Sequence, residues 1–302
     1  MNMQLTHRMR GLSDYQIKML FIIPTLVLLI AMNIFPLLFS LCLSFTRYKY
    51  GSNLPWIFIG TKNYSRILSD PNIWRYFRTT AEFVIYAVSA QFLIGFGLAL
   101  LLNREFKYRG IITTLILLPM MLSPVVVGLF WKFIFNPETG LLNYFLRVLF
   151  RVEKIGWTTN PDTALISVVI VDTWMWSPFM MLISLAGLSA IPKYLYEAAD
   201  VDRASGWFKF RHITLPMVSP LLLIALLFRT MDAFKLFDLV YVLTNEGGPG
   251  IETETVSLNL YKIAIRRLDI GLGSAMAYIL LIVIIALSNI YIKYLNKARG
   301  ET

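Results

Sequence analysis

Bond-making chemistry needs nucleophiles, acids or metal ligands that converge, and this sequence supplies few of them. His7 and His212 are the only histidines, 205 positions apart, and Cys42 is the only cysteine. No metal set, His-based catalytic unit or internal disulfide can be assembled from these. The phosphate-cradling pattern G-x-x-x-x-G-K-[ST] is absent, so the chain is not expected to bind or hydrolyse ATP. Asp172 and Asp232 could in principle form a hydrolytic aspartate pair, but nothing around either supports one. The regular spacing lies elsewhere, in Arg229, Asp232, Lys235 and Asp238 of LFRTMDAFKLFDLVYVL. Their signs alternate every third residue, which makes successive members helix neighbours able to pair. Ionisable groups at membrane depth face a bundle interior or a water-filled cavity. The chemistry offered is therefore binding and conduction: a polar wall, with Leu236 inside it and Phe234, Phe237 and Tyr241 as stacking surfaces. The plainer reading is a salt-bridge ladder that only anchors the helix. Asp172, with Trp174 and Trp176 beside it, calls for a partner inside the bundle, and Arg229 is the candidate.

Such groups need apolar elements to hold them. Of the 302 residues, 57% are hydrophobic and only 15% are charged, against about 25% charged in a soluble domain. Uncharged apolar runs of about 18 residues or more read as membrane helices. The pattern predicts an all-α membrane protein of one domain with six spans, at 19–45, 80–102, 111–134, 163–190, 213–243 and 270–292. Lys and Arg flank the spans, and their bias places both termini in the cytoplasm. That bias explains the net charge of +10 without nucleic acid. The first run is too long for a signal-peptide core. Arg8, Arg10 and Lys18 form a basic tail before it. Gly95 and Gly97 in the second span permit close helix approach.

One charged stretch interrupts this pattern. Residues 193–216 carry Lys193, Glu197, Asp200, Asp202, Arg203, Lys209 and Arg211 between two apolar blocks. The stretch opens on Glu197-Ala198-Ala199 and closes on Ile213-Thr214-Leu215-Pro216. It resembles the EAA loop of permease subunits of binding-protein-dependent ABC importers, in particular those for sugars. The family glycine falls on Arg203, and Gly206 is the residue expected to take over the bend, since glycine tolerates positive φ. The resemblance implies a coupling element seated in a separate ATPase subunit. Ala198, Ala199 and Phe208 would pack into the partner, with Glu197 and Asp200 at the rim.

Further motifs resemble the same family. Phe58, Gly60, Asn63 and Tyr64 match its F-x-G-x-x-N-Y, within a 58–80 segment that reads as amphipathic in the outer interface. Pro137, Gly140 and Asn143 match P-x-x-G-x-x-N, and residues 244–255 resemble T-x-G-G-P-G. The resemblance implies half of a carbohydrate-import pathway, for a mono- or oligosaccharide, a polyol or an acidic oligosaccharide. It implies a second homologous permease subunit, two ATP-binding subunits and a periplasmic or extracellular substrate-binding protein. It also implies no cofactor beyond the ATP of the partner subunits, and residence in a bacterial or archaeal cytoplasmic membrane. Family sugar contacts fall near Lys235 and Leu236. The alternative class is half of a secondary carrier or channel that uses the charged fifth span as an ion relay, which leaves the 193–216 loop unexplained. A structural membrane anchor is the third.

Overall fold

The computed structural model describes residues 13–51 and 55–299. His7, Arg8 and Arg10 lie outside the described residues. Among the described residues, five helices are long and apolar enough to cross a bilayer: α1 (Tyr15–Ser44), α3 (Pro71–Leu102), α7 (Pro161–Ser189), α9 (Gly206–Ala233) and α12 (Ile270–Arg299). A sixth crossing requires the bent pair α4 (Arg109–Met121) and α5 (Pro124–Ile134) to count together. Short helices α2 (Lys62–Ser69), α6 (Leu141–Phe150), α8 (Lys193–Val201), α10 (Asp238–Leu243) and α11 (Val256–Tyr261) join them. A two-stranded antiparallel ribbon, β1 (Thr46–Arg47) and β2 (Ile57–Phe58), follows α1.

Three expected spans differ from the helices observed. The second helix starts at Pro71 rather than 80, because Asp70 accepts from Asn72 N at 2.9 Å and Pro71 sits in the first turn. Proline's missing N–H costs nothing there. The 58–80 segment is therefore divided between β2, α2 and the first turns of α3. The third span is two helices meeting at 97°. Leu122 and Ser123 are extended, at ψ 149° and 136°, as a residue before proline prefers. The fifth helix stops at Ala233, and Phe237 (φ −135°, ψ −63°) separates it from α10.

Without a strong hydrophobic force between helices in lipid, close approach and polar contacts hold the bundle. A Cβ on Gly95 would lie 2.6 Å from both Met180 Cβ and the Ser177 carbonyl, so this glycine sets how closely α3 meets α7. Gly97 faces open space, contrary to its expected role. Gly187 does for α7 and α9 what Gly95 does for α3, with Val218 Cγ1 2.9 Å from an added Cβ. The main apolar core gathers Phe83, Val168, Met175, Leu239, Leu258 and Met276. A smaller one, with Leu102, Leu188, Ile191 and Val218, fills the end of the bundle that leads into α8. The apolar stretch of α1 is only 6% buried. Cys42 on it is exposed.

The family-like motifs outside the spans form local locks. Asn63 Nδ2 donates to the carbonyls of Ser44 and Thr46, at 2.9 and 2.8 Å, and so fastens α2 to the end of α1. Asn143 Nδ2 donates to Ile155 O at 2.9 Å while its Oδ1 accepts from Trp157 Nε1 at 3.1 Å. Gly140 leaves no room for a side chain, since a Cβ would lie 2.3 Å from Asn136 O.

Candidate functional site: a buried polar clasp and an exposed turn

The sequence-predicted polar residues fall into two places. At the centre of the bundle, Gln91 from α3, Asp172 from α7 and Arg229 from α9 are each at most 2% exposed. Arg229 Nη2 donates to Asp172 Oδ2, and its Nε donates to Gln91 Oε1 at 2.7 Å. Gln91 Nε2 closes the ring by donating to the same Asp172 oxygen at 2.7 Å. The guanidinium carbon sits 4.9 Å from the Trp176 ring centroid, a distance at which the ring face attracts a cation. The remaining Nη1 reaches Asp232 Oδ2 at 2.7 Å, one turn along α9, and that carboxylate is half-exposed. Trp174 points away and meets Trp131 edge-on at 5.6 Å.

The four-residue charge ladder does not exist as a helix face. Arg229 and Asp232 pair on α9, but the chain then turns through Lys235 N→Asp232 O and Leu236 N→Ala233 O bonds at 2.9 and 3.2 Å. Thr255 Oγ1 donates to Leu236 O at 2.8 Å and holds that turn. Lys235 is exposed on it, and Asp238 opens α10. Neither has an ion pair among the described residues. The turn nevertheless brings Asp232, Lys235, Leu236 and Asp238 around one cleft of about 130 Å³, whose floor is Asp172, Trp176 and Arg229. The cleft thus has a neutralised floor and free polar groups at its rim. It can exchange hydrogen bonds with a polyhydroxyl ligand, and it holds no nucleophile. Tyr241 lies apart from it, packed on Phe237 at 5.4 Å and Tyr261 at 5.7 Å, with its hydroxyl accepting from Arg266 Nη2 at 3.0 Å. Gln91 and Tyr261 were missed from sequence. An amide inside a long apolar run was the available signal for Gln91.

The second place is the α8–α9 corner. Helix α8 ends in a Schellman motif: Ala204 N donates to Ala199 O at 2.9 Å and Arg203 N to Asp200 O at 3.0 Å. The residue after the cap must then be left-handed, and Arg203 has φ 53°. The bend is therefore made at the family glycine position by Arg203 itself. Gly206 does not take it over: it begins α9 with helical backbone, and Ser205 accepts from Phe208 N as its cap. Asp200 receives Lys209 Nζ at 2.6 Å, and Tyr196 OH meets Thr214 Oγ1 at 2.9 Å, so two cross-links brace the corner. Ile213 packs against the smaller core. Leu215 and Pro216 start the regular α-helical part of α9, after a π-turn over Phe210–Thr214.

Ala199 is only 8% exposed, so it packs inside the corner and cannot reach a partner. Glu197 and Ala198 are exposed. The large apolar side chains left in the open include Val201 (83%), Trp207 (68%) and Phe208 (48%). A solvated loop would have no use for three such residues beside exposed acids. This arrangement suits a surface that another protein covers.

A five- to six-helix bundle with a cleft between its central helices and a braced polar corner at one end is the architecture of a membrane permease subunit. The chain belongs to the family described as the binding-protein-dependent transport system inner membrane component, which matches residues 91–300. It is 36% identical over 278 residues to the trehalose/maltose transport system permease protein MalF of Thermococcus litoralis, covering 91% of this chain and 92% of that one. It is 34% identical over 289 residues to the sulfoquinovosyl glycerol transport system permease protein SmoG of Agrobacterium fabrum, covering 96% and 93%. A solved bacterial ABC transporter that imports the acidic polysaccharide alginate has a chain of the same fold, with TM-score 0.82 and 21% identity over 94% of this chain and 96% of that one. This protein is accordingly a multi-pass, non-catalytic permease subunit of an ABC importer.

Proposed function

We propose that the chain forms half of the translocation pathway of a carbohydrate importer and transmits the closure of separate ATPase subunits to that pathway. Two relatives are named for trehalose/maltose and for sulfoquinovosyl glycerol, and the solved neighbour imports alginate. All are carbohydrates or carry one, so the substrate is a mono- or oligosaccharide, a polyol or an acidic oligosaccharide. Arg229, Asp232, Lys235, Leu236, Asp238 and Asp172 form this half's share of the pathway wall. Tyr241 supports the wall from behind.

The observation that carries the reading is the α8–α9 corner. It is capped, cross-linked to the foot of α9 and presents Glu197, Ala198, Val201, Trp207 and Phe208 outward. A push on this corner moves α9, and α9 carries Arg229 and the cleft. The partners are a second homologous permease subunit, two ATP-binding subunits on the cytoplasmic side, one of them seated on this corner, and a substrate-binding protein on the opposite face. The neighbouring alginate transporter has also been solved with an alginate-bound periplasmic protein. The chain itself carries no cofactor, ATP being bound by the partners. It resides in a bacterial or archaeal cytoplasmic membrane with both termini inside.

The test is to purify the intact complex in lipid and measure its ATP turnover against a panel of sugars with the binding protein present. One or more carbohydrates should raise turnover several-fold. Stimulation by amino acids or metal ions instead, with none by sugars, contradicts the substrate class.

A further inference from the structure

The end of the bundle opposite α8 carries several basic residues. Arg75, Arg78 and Arg266 there are paired with Glu252, Glu82 and Glu246, and Lys262 with Glu254. Arg66 and Arg267 have no carboxylate partner among the described residues, and both are exposed. They line one polar cleft of about 170 Å³ between α2, the start of α3, α11 with the turn after it and the start of α12, with Asp70, Asn72, Tyr76 and Asn259. At ~30 Å³ per water, that space holds about six waters, enough for a phosphate group and its ester oxygens. Asp70 already caps α3 through Asn72 N at 2.9 Å. Two guanidiniums against one carboxylate leave a single positive charge, which matches a phosphodiester monoanion better than a doubly charged phosphomonoester.

The surroundings say where such a phosphodiester comes from. Trp74 and Leu68 on α3 and α2 are 55% and 50% exposed, and Phe58 on the neighbouring ribbon is 75% exposed. Trp74 uses its Nε1 on Leu68 O at 2.9 Å, which fixes the ring while more than half of the side chain stays exposed. Exposed tryptophan and leucine beside free arginines suit the headgroup layer of a bilayer, where aromatic rings sit at the interface. On α2 the buried side is Asn63 and Ile67, while Arg66 and Leu68 look outward. That is the arrangement of a short helix lying along a membrane surface.

We propose that this cleft binds the phosphodiester of an anionic phospholipid headgroup in the leaflet at that end, through Arg66 and Arg267. The site does not depend on the carbohydrate reading. The experiment uses the complete transporter complex in bilayers of phosphatidylcholine mixed with phosphatidylglycerol, with retained lipid counted by native mass spectrometry. An arginine near an anionic surface contributes a factor of about five, so Arg66→Gln with Arg267→Gln should weaken phosphatidylglycerol retention roughly thirtyfold. Arg66→Lys with Arg267→Lys should keep most of it. Equal retention by wild type and the glutamine variant overturns the site. Displacement of the lipid by millimolar inorganic phosphate makes it a soluble-anion site, and weaker docking of the binding protein with unchanged lipid retention makes it a protein contact; either overturns the proposal. If the glutamine variant fails to assemble, titration of the wild type decides: retention must favour phosphatidylglycerol over phosphatidylcholine, and indifference to headgroup overturns it.

Discussion

Arg229 hydrogen-bonds three side chains at once and lies against the ring of a fourth, and the consequence of removing it follows from what it leaves behind. Breaking a buried ion pair from one side strands the other charge and costs about 3–5 kcal/mol, while exchanging both partners for apolar residues is often neutral. Arg229→Met should therefore lower the melting temperature of the purified complex sharply. Asp172→Leu combined with Arg229→Met should recover most of it, and sugar-stimulated ATP turnover should stay low if the clasp shapes the cleft. A double variant that is stable and fully active would make the clasp structural only. The Asp172–Arg229 pairing was legible because two lone opposite charges in apolar runs have few other partners. Gln91 as the third member was not, since an amide carries no charge to announce it. Arg203 is the other instructive residue. A left-handed non-glycine residue costs about 1–2 kcal/mol, so Arg203→Gly should stabilise the corner by about 1 kcal/mol, read by thermal melting. ATP turnover should be unchanged; a loss of it would show that the arginine side chain itself meets the ATPase. The sequence pointed to a bend here and mislocated it, because glycine's backbone tolerance is visible in the sequence whereas the hydrogen-bond pattern that α8 demands at Arg203 is not.

Helix α3 meets α7 at a spacing set by one missing Cβ. Gly95→Ala places that atom against backbone as well as side chain, so it should destabilise the complex by about 1–3 kcal/mol, the range for overpacking. Gly97→Ala faces open space and should be neutral, or slightly favourable through helix propensity. Differential scanning fluorimetry of the two variants side by side checks the pair. Equal melting temperatures would remove Gly95 from its packing role. Long uncharged runs made the membrane helices readable, and their interruptions were harder. Pro119 and Pro124 were visible in the third span, but a proline can be absorbed in a membrane helix or break it. Here the extended backbone at Leu122 and Ser123 breaks it. The end of α9 at Ala233 was hidden by an apolar pattern that continues into α10, and the threonine bond that fixes the turn comes from nineteen residues downstream.

Across the whole molecule, the two functional places lie on one continuous element. Helix α9 begins in the exposed corner and ends at the cleft, 28 residues later, or about 42 Å at 1.5 Å per residue. A rigid rod of that length can carry a displacement from one side of a bilayer to the other. The fold class and the α8–α9 stretch could both be read from sequence, since hydropathy and a spaced motif are local signals. Which residues of the corner face outward could not, because burial of Ala199 and exposure of Trp207 depend on how α8 folds back on α9. The decisive measurement follows from that distinction. The full complex is affinity-purified through this chain, as wild type and with Trp207→Glu plus Phe208→Glu, and the ATP-binding subunits are quantified. The corner acting as the handle predicts that wild type retains two ATP-binding subunits per complex, while the variant stays membrane-inserted and loses the one seated on its corner together with sugar-stimulated turnover. Undiminished ATPase retention and turnover in that variant would contradict it.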